Sequence, residues 1–181
     1  MAIEEQLQTD EHTRLRFFSS PLHADSTLHS FIAQLERAAG YERNDTFEAK
    51  LDKLSSLLGA SPDHDNDVQL LAELLSVPTV DRYAPLNLSA SQKKQKTMQA
   101  LVRQLELLGR QRPVLMIFED AYWIDPSSRE LLDTIIERVA RLPVLLVRTG
   151  RCVTGGRSAG RSRSPPWSVP RRTVALRRCG R

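Results

Sequence analysis

The chain has 181 residues, of which 40% are hydrophobic and 27% charged, with a formal net charge of +4. That length supports one domain with a buried core and a tail, and the composition is ordinary for a globular protein. No run of about 18 apolar residues occurs, so no transmembrane helix is expected, and two cysteines, Cys152 and Cys179, make neither a disulfide framework nor a cysteine metal cluster.

The net charge conceals a split. Ten of the 26 basic residues are arginines at 148–181, a stretch with no acidic residue, which leaves 16 basic against 22 acidic residues before it. The body therefore carries about −6 and the tail about +10. The N-terminal "MAIEEQLQTDEH" is acidic and has no apolar centre, so it does not read as a secretory signal, and a reducing cytoplasm is the expected compartment.

In chain order, "TRLRFFSS" (13–20) alternates, with Leu15 and Phe17 facing one way, and reads as a strand ended by Ser-Ser-Pro. "LHSFIAQLERAAG" places Leu28, Phe31, Ile32, Leu35 and Ala39 at helical spacing, with Gly40 as the C-terminal cap. "TFEAKLDKLSSLLG" repeats that logic, with Thr46 as cap, Phe47, Leu51, Leu54 and Leu58 as the stripe, and Gly59 as the stop. "NDVQLLAELLSVP" is a third amphipathic helix closed by Pro78, and "TVDRYAPLNLS" is a loop. Ser89 or Ser91 caps a longer helix through "KKQKTMQALVRQLELLG", ending near Gly109.

The pattern then changes. "VLMIF" is a continuous apolar run of strand length, as in a parallel strand covered on both faces. In "DPSSRELLDTIIERVARL", Asp125 is a candidate cap, Pro126 suits the first turn, and Leu131, Leu132, Ile135, Ile136 and Val139 form the stripe. "PVLLV" is a second buried strand, which completes a βαβ unit. The expected fold class is α/β: parallel strands with an inserted helical layer between the first strand and this unit. Residues 1–12 form an N-terminal extension, 13–147 the folded module and 148–181 a tail without hydrophobic period. Such a tail buries too little apolar surface to offset its ordering entropy and is expected to be disordered. Its abrupt Arg, Gly, Ser and Pro bias also matches out-of-frame translation of a GC-rich gene. The coding sequence tests that hypothesis, since a single-base shift after the codon of Val147 must restore a patterned continuation.

The stretch "VLMIFEDAYWID" carries the chemistry. ATP hydrolysis on an α/β sheet needs a glycine loop and a lysine to cradle the phosphates, a carboxylate for Mg²⁺ or its water, and a carboxylate to orient the attacking water. Glu119 and Asp120 end an apolar strand, where ligands bind in open α/β folds. Glu119 takes the metal-side role and Asp120 the water-orienting, catalytic role. Tyr122 and Trp123 pack the following loop, while Asp125 caps the next helix or faces the nucleotide. By spacing alone, the same stretch also reads as a strand running into a polar turn.

Residues from about 14 to 147 resemble the nucleotide-binding domain of large bacterial signalling ATPases. These are the STAND-type, AAA-related modules fused to class III adenylate/guanylate cyclase domains or found in large LuxR-type regulators. The resemblance rests on "RLRFFSSPLHADSTLHSFIAQLERAAG", "KLDKLSSLL", "LLAELLS", "KKQKTMQALVRQLELLGRQRPVLMIFEDAYWIDPSSRELLD" and "LPVLLV". The family's Walker B signature falls on Glu119, Asp120, Trp123 and Asp125, with Tyr122 where the family usually has His. The resemblance implies ATP and Mg²⁺ as cofactors, Trp123 and Asp125 beside the nucleotide, and a cyclase or transcriptional output in the intact relative. Two departures weigh against activity. No GxxxxGK[ST] loop occurs anywhere in the sequence, and "LPVLLV" leads into the Arg-rich stretch rather than further strands. Without the strand that carries the phosphate loop, "VLMIF" is expected to present an open apolar edge, with poor solubility as the result. The expected function is a truncated ATP-binding module, inactive alone.

Two other classes compete. One is a non-enzymatic helical interaction module, including a split-site partner of a chain that supplies the phosphate loop. The other is a nucleic-acid binder acting through the tail, with Trp167 for stacking; a translation accident accounts for that composition more simply. His12, His23, His29 and His64 have no metal-binding spacing, and "SQKKQK" reads as the solvated first turn of a helix.

Overall fold

The computed structural model describes residues 12–148, except 61, 80, 81, 140 and 141. The expected N-terminal extension, up to residue 11, and the tail expected to be disordered, from 149 onward, lie outside the described residues. β1 (Thr13–Phe18) alternates as expected, with Phe17 buried and Arg14, Arg16 and Phe18 turned the other way. A short 3₁₀ turn, Pro21–His23, leads to α1 (His29–Ala39). Gly40, at φ +67°, ends α1, and the N–H of Tyr41 returns to the carbonyl of Glu36 at 3.1 Å.

α2 (Phe47–Leu58) is capped as expected, the Thr46 hydroxyl accepting from the Ala49 N–H at 3.2 Å. Its stripe buries Leu51, Leu54 and Leu58. Phe47 keeps the spacing but not the burial: it stands in the helix's first turn, at the end of the seam, and is 59% exposed. α3 (His64–Leu74) stops before Pro78. Ser76 turns left-handed at φ +56°, and the Val77 N–H closes on the Ala72 carbonyl at 2.8 Å. α4 (Ala90–Gln111) starts from Ser89, not Ser91, through a reciprocal cap with Gln92. It runs past Gly109, the expected end, because Gly109 keeps the helix going and lies close to Leu142 and Val144.

β2 (Val114–Glu119) buries its five apolar residues, and α5 (Pro126–Val139) connects it to β3 (Val144–Arg148). The three strands form one parallel sheet in the order β1-β2-β3. The expected open edge on "VLMIF" is therefore not there. β2 is the central strand, with Thr13 to Phe18 paired along one side and Val144 to Arg148 along the other. The aggregation argument built on that edge loses its basis. The outer edge of β1 is itself blunted by α1: the Arg16 N–H donates to Gln34 Oε1 at 3.2 Å, and Arg37 donates to the Arg16 carbonyl.

One hydrophobic cluster unites the sheet with the helices, and β2 contributes Val114, Met116 and Phe118 to it. Phe17 and Phe118 stack at 4.3 Å, with Phe31 of α1 tilted against Phe17 at 4.8 Å. The inserted helices are tied by a part-buried ion pair. Asp67 of α3, 5% exposed, receives both Nε (2.9 Å) and Nη2 of Arg103 on α4. No described helix is long and apolar enough to cross a membrane.

Two stability predictions follow from these contacts. A Cβ on Gly109 meets Leu142 and Val144 at 3.7 Å, an ordinary contact, in the interior of a helix. Gly109→Ala is expected to stabilise the fold by about 0.5–1 kcal/mol in urea unfolding. Arg103→Leu strands the Asp67 carboxylate and is expected to cost about 3 kcal/mol, most of which the double variant Asp67→Leu/Arg103→Leu recovers. An equal loss in both variants would show that packing, not charge, holds α3 to α4.

Candidate functional site

The C-terminal edge of the sheet gathers the ends of β1 and β2. The chain turns sharply after Glu119, since Asp120 is left-handed at φ +51° and its carbonyl accepts from the Trp123 N–H at 2.9 Å. Asp is among the residues that tolerate this conformation. The turn leaves the Asp120 side chain exposed and anchors the loop through buried Ala121. Tyr122 and Trp123 meet edge-on at 4.9 Å and are 65% and 41% exposed.

The two strand-end carboxylates face different environments. Glu119 Oε1 accepts from Arg16 Nε at 3.0 Å and from Arg16 Nη2 at 2.5 Å. This pairing follows from register: Arg16 sits beside Ile117 on β1 and reaches one rung along to Glu119. A divalent cation on Glu119 has to displace a guanidinium that already occupies the oxygen. Among the described residues no group of three or more His, Cys, Asp or Glu side chains is arranged to hold a metal. In this arrangement the Glu119–Asp120 pair does not fit Mg²⁺.

Asp125 is 2% exposed and works as a structural tie. Its Oδ1 accepts from the Ser128 N–H at 2.9 Å, capping α5, and from the Leu28 N–H at 3.1 Å, at the start of α1. Leu28 is left-handed at φ +56° and 3% exposed, so the carboxylate holds a strained backbone in place from across the sheet edge. Of its two expected roles, capping is the one the geometry displays. At the end of β1, the buried hydroxyls of Ser19 and Ser30 lie 3.2 Å apart, and Ser30 also donates to the Phe18 carbonyl at 2.8 Å.

The edge thus brings together Glu119, Asp120, Trp123 and Asp125, all expected from the sequence. It adds Arg16, Leu28, Ser19 and Ser30, which sequence reasoning missed. Arg16 had a visible signal, as a base on the solvent-side phase of "RLRFF", but its partner depends on β1 lying next to β2. The histidines read as scattered include one close pair, His23 and His29, whose rings stack at 3.7 Å.

No protein-family model matches the chain, and no solved structure matches it. An uncharacterized protein of Rhizobium meliloti (strain 1021) is 45% identical over 58 residues, which are 32% of this chain and 6% of that protein. The match therefore spans only a small part of a much longer relative.

The tie made by Asp125 predicts a stability phenotype. Asp125→Ala leaves the buried Leu28 N–H and the α5 N-terminus without their acceptor and is expected to cost about 2–3 kcal/mol. Asp120→Ala, at an exposed position, is expected to change stability by less than about 0.5 kcal/mol. Chemical denaturation of both variants checks the contrast, and equal losses would refute the tie.

Proposed function

We propose that the chain is a partial module of the P-loop ATPase type that neither holds Mg²⁺-ATP nor hydrolyses it on its own. The observation that carries this reading is the position of Glu119 and Asp120. They end the central strand of a parallel sheet, on the edge where open α/β folds bind ligands. The order of motifs from "RLRFF" to "LPVLLV" supports the same class, as part of a STAND-type signalling ATPase whose output is a cyclase or a transcriptional regulator. The longer Rhizobium meliloti relative is in keeping with a module that works inside a larger protein.

The same geometry argues against turnover by this chain. Phosphoryl transfer depends on positioning, and no GxxxxGK[ST] loop is present to hold the phosphates. The carboxylate assigned to the metal is engaged by Arg16. A second reading, a non-enzymatic interaction module or a split-site partner, draws on the half-exposed Tyr122 and Trp123 at the same edge. In that case a second chain supplies the phosphate loop.

Calorimetric titration of Mg²⁺-ATP into the full chain and into Asp120→Asn tests the proposal. No heat is expected from either protein. Micromolar binding that changes in Asp120→Asn would show that the phosphates are held by other residues and would overturn the inactive-module reading.

A further inference from the structure

All the helices that join the main cluster do so on one face of the sheet, the face of Val114, Met116 and Phe118. The opposite face is also apolar. Register places Arg14, Leu115 and Leu145 on one rung of it, Arg16, Ile117 and Val147 on the next, and Phe18 with Glu119 at the end. Leu115 and Ile117 are 3% and 8% exposed, yet neither belongs to the cluster that the described helices form. Leu145 and Val147 are partly buried and are not among the residues packed against that cluster. A parallel sheet is stable with both faces covered, so this burial calls for an occupant beyond the described helices.

Two terminal segments of the chain lie outside the described residues, and charge distinguishes them. The face carries two bases on β1, Arg14 and Arg16, and one acid, Glu119, which Arg16 already engages. Residues 149–181 bring nine arginines and no acid, so they repel it. Residues 1–11, "MAIEEQLQTDE", bring four acids (Glu4, Glu5, Asp10 and Glu11) and no base. They also carry Ile3 and Leu7 four apart, the spacing that aligns two side chains on one face of a helix. They join the fold at His12, directly before β1. Eight helical residues span about 12 Å, enough to cross both rungs, which are about 7 Å apart along a strand.

We propose that the N-terminal segment, residues 1–11, docks on the second face of the sheet. There Ile3 and Leu7 cover Leu115, Ile117, Leu145 and Val147, and the acids face Arg14 and Arg16. The segment then serves as the sheet's missing layer, and the acidic N-terminus is part of the fold rather than an extension of it.

Disulfide trapping in the full chain tests this. Cys152→Ser and Cys179→Ser remove the native thiols, and Leu145→Cys is combined in turn with Ile3→Cys and with Leu7→Cys. A disulfide forms only where the two Cα atoms come within about 7 Å. The expected result under mild oxidation is an intramolecular bond in at least one pair, seen as a monomer on a non-reducing gel and mapped by peptide mass. A covalent dimer joined at position 145 would assign the face to a second copy, and no bond in either pair would place the segment elsewhere. Either result overturns the proposal. In the otherwise native chain, I3E/L7E is expected to raise the fluorescence of a hydrophobic dye several-fold while the far-ultraviolet helix signal persists, and unchanged dye binding with that signal intact counts against the docking. The trap keeps the apolar face largely intact and decides the matter if I3E/L7E does not fold.

Discussion

The burial of five consecutive apolar residues, Val114 to Phe118, between two parallel neighbours is the constraint on which the rest of the structure depends. Alternate residues of that run feed opposite faces of the sheet. Val114, Met116 and Phe118 bind the helices, and Phe118 stacks on Phe17 to lock β1 in register. That register then decides the chemistry at the edge. It sets Phe18 beside Glu119 and brings Arg16 within reach of the same carboxylate. A slip of one residue turns every side chain of β1 to the other face, which buries Arg14 and Arg16 and exposes Phe17.

The candidate site shows how one sheet edge divides its carboxylates among different environments. Asp125 is spent on the backbone: one oxygen holds both the first turn of α5 and the strained Leu28. Asp120 is exposed in a left-handed turn, free of such duties in the described geometry. Glu119 lies between these extremes, partly exposed and salt-bridged to Arg16. A surface ion pair of this kind is worth at most about 1 kcal/mol. Arg16 is therefore a weak guard, although it occupies the oxygen that a cation would need. The inactivity proposed for this chain rests on the missing cradle more than on the guard.

How much was legible follows the range of the interaction involved. Thr46, Ser89, Gly40 and Asp125 act as caps within a few residues of their partners: Thr46 and Gly40 were plain from sequence, while Ser89 was one of two candidate serines and Asp125 had a second candidate role. The apolar run of β2 and the stripe Leu51, Leu54 and Leu58 were equally plain, because periodicity is local. Phe47 shared that period and still failed: it stands in the first turn of α2, at the end of the seam, and stays exposed. Strand order was out of reach. The parallel strands and the βαβ link from "VLMIF" to "PVLLV" were correctly read, but nothing in "VLMIF" reveals that "TRLRFF" pairs along its other side. The Arg16–Glu119 and Asp67–Arg103 pairs were invisible for the same reason, spanning 103 and 36 residues of sequence.

Sequential strand order has a further consequence. Parallel connections between neighbouring strands share one hand. A sheet that adds its strands in the order β1-β2-β3 therefore places every connecting helix on the same side. To cover the other side, a sheet must reverse its direction of growth or draw in a segment from outside the run of strands. Among the described residues there is no reversal, so the second route remains. The charge split of the sequence narrows the choice within this chain. The acidic body and the basic tail are not interchangeable partners for a face that presents Arg14 and Arg16. The one-sided placement of the helices and the uneven placement of charge, taken together, direct attention to the first eleven residues.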